Sequence, residues 1–261
     1  MKYGFIGCGN MGGAIARALS KATQDILISD RSGKARTLAQ ELDCTYGDAQ
    51  KVACACDRIF LGVKPYMMKD VLGGLQEVLQ QRKPLLITMA AGVTIAQIEE
   101  FAGIRLPVIR IMPNTPVSVG KGVTQYCCND LVDNAIVSDW LEDMRFCGVV
   151  DELEERLIDA ASALSGSGPA YMYVMMEALA DGAVACGIPR AKAMEYAAMT
   201  MVGAGEIYLA THQHPGALKD AVCSPGGSTL AGLRALERNG FRSAAIECVH
   251  ATYQKNKELG K

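Results

Sequence analysis

The sequence predicts an α/β fold, with a doubly wound parallel sheet in the first half of the chain and helices alone in the second. Short, almost continuously apolar runs alternate with helical patterns as far as about residue 150, as is typical of strands buried on both faces of a parallel sheet. Beyond that point the strand-like runs stop. With 261 residues, half of them hydrophobic, the chain can bury one large core or two modest ones.

Strands and helical stretches alternate along the first half of the chain. The predicted strands are residues 3–6, 26–29, 58–63, 85–89 and 108–112. The predicted helices are residues 11–20, 33–42, 49–55, 67–81 and 95–101. Such alternation over more than a hundred residues indicates a single doubly wound domain, which we place at residues 1–152.

The second half, residues 153–261, is predicted to contain five helices. They are residues 154–164, 170–186, 191–209, 229–237 and 242–259. The helix at 170–186 is apolar nearly all round, and a helical segment this short offers few neighbours to cover it. We therefore expect it to pack against a second copy of the chain, giving a homodimer or a multiple of dimers. The alternative is that this helix lies at the centre of the monomer's own bundle.

Composition narrows the range of partners. Lys and Arg number 26 against 28 Asp and Glu, so neither nucleic acid nor an anionic membrane surface is an expected partner. No apolar run is long enough to cross a bilayer. The ten cysteines include close pairs, and the three histidines lack metal-ligand spacing, so we expect reduced thiols in a cytoplasmic protein and no metal site.

A glycine-rich loop follows the first predicted strand and opens the first helix. Its G-x-G-x-x-G pattern consists of Gly7, Cys8, Gly9, Asn10, Met11 and Gly12. The first glycine permits a tight turn, the second lets the backbone approach a pyrophosphate, and the third lets helix and strand pack closely. Amides at the helix start face the anion. Because strand, loop, helix and second strand occur together, the sequence predicts a Rossmann domain that binds a dinucleotide.

The second strand ends just before Asp30, Arg31 and Ser32, where the adenosine ribose would be recognised. An acidic side chain there favours the 2′-hydroxyl of NAD, whereas arginine accommodates the 2′-phosphate of NADP. Arg31 and Ser32 can both bond to a phosphate, while Asp30 favours NADH only if its side chain turns into the pocket. We predict NADPH as the cofactor, with NADH as the alternative.

A second glycine-containing turn precedes the helix at 229–237. It contains Ser224, Pro225, Gly226, Gly227, Ser228 and Thr229. Backbone amides near its end would be free to bind an anion, and we expect that anion to be a substrate carboxylate. The alternative is ordinary N-capping of the helix by the hydroxyl of Ser228 or Thr229.

This turn and its surroundings resemble the signature of the pyrroline-5-carboxylate reductase family. The matching positions are Pro215, Leu218, Val222, Cys223, Ser224, Gly226, Gly227, Thr229, Gly232, Leu233, Leu236 and Glu237. Further matches occur in the family's order along the whole chain, at residues 7–12, 63–65, 90–92, 112–116, 164–171 and 241–259. A resemblance of this length does not rest on one motif.

The resemblance implies reduction of 1-pyrroline-5-carboxylate to L-proline by hydride from a nicotinamide cofactor, the last step of proline biosynthesis. It also implies an N-terminal Rossmann domain, a C-terminal helical dimerisation domain and an active site between one subunit's cofactor domain and its partner's helical domain. By position, the cofactor residues would include Val63, Lys64, Pro65, Ala90, Ala91, Gly92, Pro113 and Asn114. The substrate residues would be Ser224, Gly226, Gly227 and Thr229, with the hydroxyl of Thr229 reaching the ring nitrogen as the catalytic group. Ala49 departs from the family, in which many relatives have an asparagine near the ribose.

Two competing functions are less consistent with the sequence. Hydroxyacid dehydrogenases of the 6-phosphogluconate type need an acid/base lysine at the start of the helical domain, yet residues 122–189 contain no lysine. A non-catalytic redox sensor would bind a dinucleotide but would not need the turn at 224–229. We therefore expect an NAD(P)H-dependent oxidoreductase.

Overall fold

The computed structural model describes residues 2–31 and 33–259. The chain divides into two compact units, Met1–Ser167 with Thr252–Lys261, and Gly168–Ala251. In the first unit the sheet ends at Glu152, where the sequence predicts the change from strands to helices. The compact unit extends one helix beyond that point, and the predicted division at residue 152 stays a prediction.

Within the described residues, eight strands form one sheet. They are β1 (Tyr3–Ile6), β2 (Ile26–Ser29), β3 (Thr45–Tyr46), β4 (Arg58–Leu61), β5 (Leu85–Thr88), β6 (Val108–Met112), β7 (Gly122–Cys128) and β8 (Gly148–Glu152). Their order is β3-β2-β1-β4-β5-β6-β7-β8. The first six pair in parallel, and β7 then runs antiparallel to β6 and parallel to β8. The chain changes winding direction between β1 and β4, the point where this fold binds dinucleotides.

Helices cover both faces of the sheet. They are α1 (Asn10–Leu19), α2 (Gly33–Glu41), α3 (Ala49–Ala55), α4 (Met68–Gly73), α5 (Gln76–Arg82), α6 (Ile95–Ala102), α7 (Asn134–Met144) and α8 (Glu155–Ser165). One core cluster joins the sheet to α3, α4, α5, α6 and α8. The other joins it to α1, α2 and α7. The central strands are therefore buried on both faces, which explains their continuous apolar runs.

The five predicted strands are confirmed, with two of them ending one or two residues earlier than expected. Three further strands and α7 were missed. The strand β3 has only two residues, and β8 is an edge strand that ends in the exposed acids Asp151 and Glu152. The predicted helix at 67–81 is interrupted after Gly73, so that α4 and α5 are separate helices.

Charged side chains connect α8 to the sheet. The guanidinium of Arg110, on β6, is 1% exposed. It donates to Glu155 at 3.2 Å and to Asp159 at 2.8 Å, both of them on α8. The side-chain amide of Asn256 donates to the Asp159 carbonyl at 3.2 Å, so a residue near the C-terminus also contacts α8.

The second unit is helical throughout its described residues. It contains α9 (Gly168–Ala185), α10 (Arg190–Thr211), α11 (Pro215–Ala221), α12 (Ser228–Arg238) and the first part of α13 (Phe241–Leu259). The helices α9 and α10 pack against each other through Ala180, Ala193 and Ala197. Sequence reasoning predicted the other helices of this unit but missed the short α11.

Much of the apolar surface of this second unit lies uncovered within one chain. Ala180 is the one buried residue among the described residues of α9. Large apolar side chains are exposed on four helices of this unit: Met172, Tyr173, Val174 and Leu179 on α9; Tyr196, Met199, Val202, Ile207, Tyr208 and Leu209 on α10; Leu230 and Leu236 on α12; and Phe241 and Ile246 on α13. The helix α9 is therefore not at the centre of the monomer's own bundle. In the part of the chain that the structure describes, no helix is long and apolar enough to span a membrane.

Candidate functional site

A cavity of about 880 Å³ opens in the first unit at the carboxyl ends of β1, β2 and β4. Its position is the change of winding direction, and its volume is typical of a site for a small molecule or cofactor. Six of the residues predicted to bind the cofactor line it: Gly7, Gly9, Asp30, Arg31, Val63 and Lys64. The structure thus brings the glycine-rich loop together with the ends of two neighbouring strands.

The three glycines of the loop differ in their surroundings as the motif predicts. Gly7 has φ +95°, and a Cβ there would lie 2.6 Å from the carbonyl carbon of Gly62. A Cβ on Gly12 would collide with the carbonyl oxygen of Gly7. A Cβ on Gly9 would meet nothing within 4 Å. Gly7 and Gly12 are required by the turn and its packing, whereas Gly9 leaves open space for a ligand.

The start of α1 faces the same loop. Gly9 is the N-cap residue, and no side chain caps this helix. Asn10 and Met11 form the first turn, whose amides have no intrahelical acceptor. An uncapped helix start beside open space is a suitable place for a phosphate.

Asp30 takes an orientation that sequence reasoning did not consider. Its carboxylate accepts a hydrogen bond from the backbone N–H of Cys8 at 2.7 Å, which connects the end of β2 to the glycine-rich loop. Burial and the negative charge of Asp30 raise the pKa of the Cys8 thiol, which stays protonated. Arg31 is exposed at the cavity, and Ser32 lies outside the described residues.

The other predicted cofactor residues that the structure describes are not among those lining the cavity. Pro65 begins a 3₁₀ turn, Pro65–Met67, after β4. Ala90 is buried, while Ala91 is exposed and Gly92 has φ +72°. These three follow β5, which is parallel to β4, so they lie at the same edge of the sheet as the cavity. Their contact with a cofactor stays a prediction.

Asn114, after β6, uses its side-chain amide within the protein. Its Nδ2 donates to the Ser165 carbonyl at 2.9 Å, and its Oδ1 accepts from the backbone N–H of Val123 at 2.9 Å. The side chain is buried, and it joins the turn after Pro113 to the end of α8. The structure therefore gives Asn114 a positioning role that the sequence motif did not indicate.

The predicted substrate turn lies in the second unit, between α11 and α12. The N–H of Gly227 donates to the Ser224 carbonyl at 2.9 Å, and Gly226 has φ +70°. Gly227 is the N-cap of α12, and no side chain caps the helix. Capping by Ser228 or Thr229, the alternative derived from the sequence, is therefore wrong. Ser224, Gly226 and Thr229 are all exposed, so this turn presents amides and hydroxyls to solvent.

Two family models match separate parts of the chain. Residues 155–259 match the model described as pyrroline-5-carboxylate reductase dimerisation, and residues 2–92 match one described as NADP oxidoreductase, coenzyme F420-dependent. Over its full length the chain is 40% identical to the pyrroline-5-carboxylate reductase of Escherichia coli K12, with 100% of this chain and 98% of that relative covered. The chain belongs to the pyrroline-5-carboxylate reductase family.

Other members of the family agree in length and fold. The pyrroline-5-carboxylate reductase of Synechocystis is 39% identical, covering 100% of this chain and 99% of its own. A crystal structure of the Plasmodium falciparum enzyme with NADP bound is 33% identical, with a TM-score of 0.89 over 100% of this chain and 98% of that one. These findings confirm the predicted fold class, a Rossmann domain followed by a helical dimerisation domain.

Proposed function

We propose that this protein reduces 1-pyrroline-5-carboxylate to L-proline with hydride from a nicotinamide cofactor, the last step of proline biosynthesis. One observation carries the proposal: a dinucleotide-sized cavity on a G-x-G-x-x-G loop, in a chain that is 40% identical throughout to a pyrroline-5-carboxylate reductase. The exposed turn before α12 supplies a second feature that such a reductase needs.

We propose NADPH as the cofactor. We assign the pyrophosphate to the loop at residues 7–12, of which Gly7 and Gly9 line the cavity, and the 2′-phosphate to Arg31 at the same cavity. The match to an NADP oxidoreductase model and the NADP in the Plasmodium falciparum enzyme support this choice. When bound, the cofactor supplies a hydride to the imine carbon of the substrate.

The chain's own task is to hold the imine and its carboxylate in place. We assign the carboxylate to the backbone amides around Gly226 and Gly227 and the first turn of α12, where no side chain competes for them. Ser224 closes this turn through its carbonyl. The hydroxyl of Thr229 is assigned to the ring nitrogen, the atom that carries a proton in the reactive iminium. An iminium accepts hydride readily, so orientation is the main requirement.

We also propose that two copies of the chain associate through the second unit. The support is the exposed apolar surface of α9 and α10, together with the match of residues 155–259 to a dimerisation model. A cytoplasmic location is proposed as well, because all ten cysteines are free and thiols persist in reducing compartments.

The test is an assay with purified protein and 1-pyrroline-5-carboxylate. We expect oxidation of NADPH only when the imine is present, with L-proline as the product, and a lower efficiency with NADH. Activity with 6-phosphogluconate or a 3-hydroxyacid, and none with the imine, would refute the proposal.

A further inference from the structure

Tyr46 lines the cavity although no sequence motif includes it. It ends β3, the two-residue strand that pairs with β2 in the register Ile28↔Tyr46. The residue is half-buried, packs partly against the core under α2, and borders the cavity together with Asp30 and Arg31. An aromatic ring therefore stands on the β2–β3 side of the cavity, at the strand ends where the adenosine half of a dinucleotide lies in this fold.

Two contacts fix the ring in this place. The hydroxyl of Tyr46 donates to the carbonyl oxygen of Asp30 at 3.1 Å. The guanidinium of Arg36, on α2, lies 5.2 Å from the centre of the ring, within the range of a cation–π interaction. These contacts at the hydroxyl end and from α2 order the ring before a ligand binds. A ligand that stacks on the ring therefore does not lose affinity to ordering of the Tyr46 side chain.

We propose that Tyr46 is a cofactor-binding residue whose ring packs against the adenine of the dinucleotide, and that Arg36 is a positioning residue for that ring. This inference rests on the proposed function, because it names one wall of the same cofactor site. Adenine is a flat aromatic group, and stacking on a tyrosine ring needs no particular hydrogen-bond pattern. Tyr46 therefore contributes equally to the binding of NADPH and NADH, whereas Arg31 distinguishes between them.

The experiment compares Tyr46→Leu with Tyr46→Phe, which keeps the ring and removes only the hydroxyl. The first probe is adenosine 2′,5′-bisphosphate, whose dissociation constant is measured by calorimetry without any reaction. We expect Tyr46→Leu to raise it roughly 5- to 100-fold, the range for loss of one base–aromatic stack. Tyr46→Phe should bind close to the wild type, and Arg36→Met should show an intermediate loss.

The second probe is reduced nicotinamide mononucleotide, a hydride donor without adenosine. Tyr46→Leu should raise the KM for NADPH and NADH by the same factor, while kcat and turnover with the mononucleotide stay at the wild-type level. If Tyr46 had a structural role alone, Tyr46→Leu would impair turnover with the mononucleotide as much as turnover with NADPH and NADH. That result would overturn the inference. If Leu prevents folding, Tyr46→Thr suits a strand and makes the same comparison.

The two proposals fail in different ways. A wild-type enzyme that reduces the imine, with Tyr46→Leu binding the bisphosphate unchanged, overturns the role of Tyr46 alone. A wild-type protein that binds the bisphosphate through Tyr46 but does not reduce the imine overturns the proposed function alone.

Discussion

Asp30 and Arg31 are neighbours at the cavity with opposite charges. Arg31 is exposed there, while the Asp30 carboxylate is hydrogen-bonded to the N–H of Cys8. We expect Arg31→Ala to weaken NADPH binding roughly 10- to 100-fold, the cost of a lost charge-assisted hydrogen bond, and to change NADH binding little. Asp30→Ser should shift the preference further towards NADPH, because it removes a negative charge near the 2′-phosphate.

The control for Asp30 is Asp30→Asn, whose side-chain carbonyl can still accept from Cys8. If Asp30→Ser and Asp30→Asn shift the preference for NADPH over NADH equally, the shift is due to loss of the negative charge and not to loss of the hydrogen bond from Cys8. Dissociation constants for both cofactors measure this. The prediction is wrong if NADH is the better cofactor of the wild type and Arg31→Ala changes neither constant, because Asp30 would then recognise the ribose hydroxyls.

Thr229 offers a test of the substrate site. The structure shows that it does not cap α12, so Thr229→Val removes a hydroxyl and keeps the shape without the loss of a cap. Loss of a hydrogen bond to a charged group costs about 1.5–3 kcal/mol, which predicts a roughly 10- to 100-fold fall in kcat/KM. Cofactor affinity should stay the same, and Thr229→Ser should retain most activity. If kcat/KM is unchanged in Thr229→Val, the hydroxyl has no role in the reaction, and backbone amides alone orient the substrate.

At the scale of single residues, sequence reasoning succeeded where backbone geometry is decisive. The tight turn at Gly7 and the close packing of Gly12 against it were predicted from spacing, because the G-x-G-x-x-G pattern defines the backbone of the turn between β1 and α1. The orientation of Asp30 and the two bonds of Asn114 could not be predicted. Their partners are 22 residues away for Asp30, and 9 and 51 residues away for Asn114, so they depend on tertiary structure.

Among the elements, α8 is held to the sheet by the buried Arg110. The double variant Glu155→Gln and Asp159→Asn would leave that guanidinium without a counter-charge. Removal of the partner of a buried charge costs about 3–5 kcal/mol. Since these carboxylates are about one-third exposed, we expect a loss of about 2–4 kcal/mol, measured by urea unfolding.

The matched control for α8 is an exposed pair in the same unit, Arg105 with Asp130. Neutralisation in Asp130→Asn should change the free energy of unfolding by less than about 1 kcal/mol. Equal effects at the two sites would mean that burial of Arg110 does not determine the strength of the contact.

The helix α7 provides a pH-dependent contact with the sheet. The guanidinium of Arg58, on β4, hydrogen-bonds to Asp139 and lowers the pKa of that carboxyl below its ordinary value. A lowered folded-state pKa stabilises the protein above the ordinary aspartate pKa, and this contribution is lost as the pH falls through the folded value. Asp139→Asn should therefore be less stable than the wild type at pH 7, and the difference should shrink as the pH falls below about 4. A difference that stays constant with pH would contradict this assignment.

The elements that sequence reasoning missed have a common physical reason. The central strands are recognisable because both faces are buried, whereas β8 lies at the sheet edge and has a single buried face at most. In β7, Thr124 and Gln125 are polar yet buried, so the run is not continuously apolar. Such strands are specified by their neighbours in the sheet more than by their own sequence.

For the whole molecule, the distribution of apolar surface connects the sequence to assembly. The helix at 170–186 is apolar nearly all round in sequence, and in the folded chain Met172, Val174 and Leu179 remain exposed. Several large exposed apolar side chains on one helix favour an interface with another molecule. Ala183, a residue of this helix, packs against α10, so a substitution there would test folding of the unit more than assembly.

Val174 is the better position for that test, because its side chain is 68% exposed on α9. We expect Val174→Glu to dissociate the dimer, since a carboxylate buried at an interface without a partner costs several kcal/mol. Light scattering after gel filtration measures the mass of the variant in solution. If the partner subunit completes the active site, turnover in the imine assay should be lost together with the dimer. Val149→Glu adds the same charge at an exposed valine on β8 and should leave both mass and turnover unchanged. A Val174→Glu variant that stays dimeric would refute the interface, whereas a fully active Val174→Glu monomer would refute the shared site.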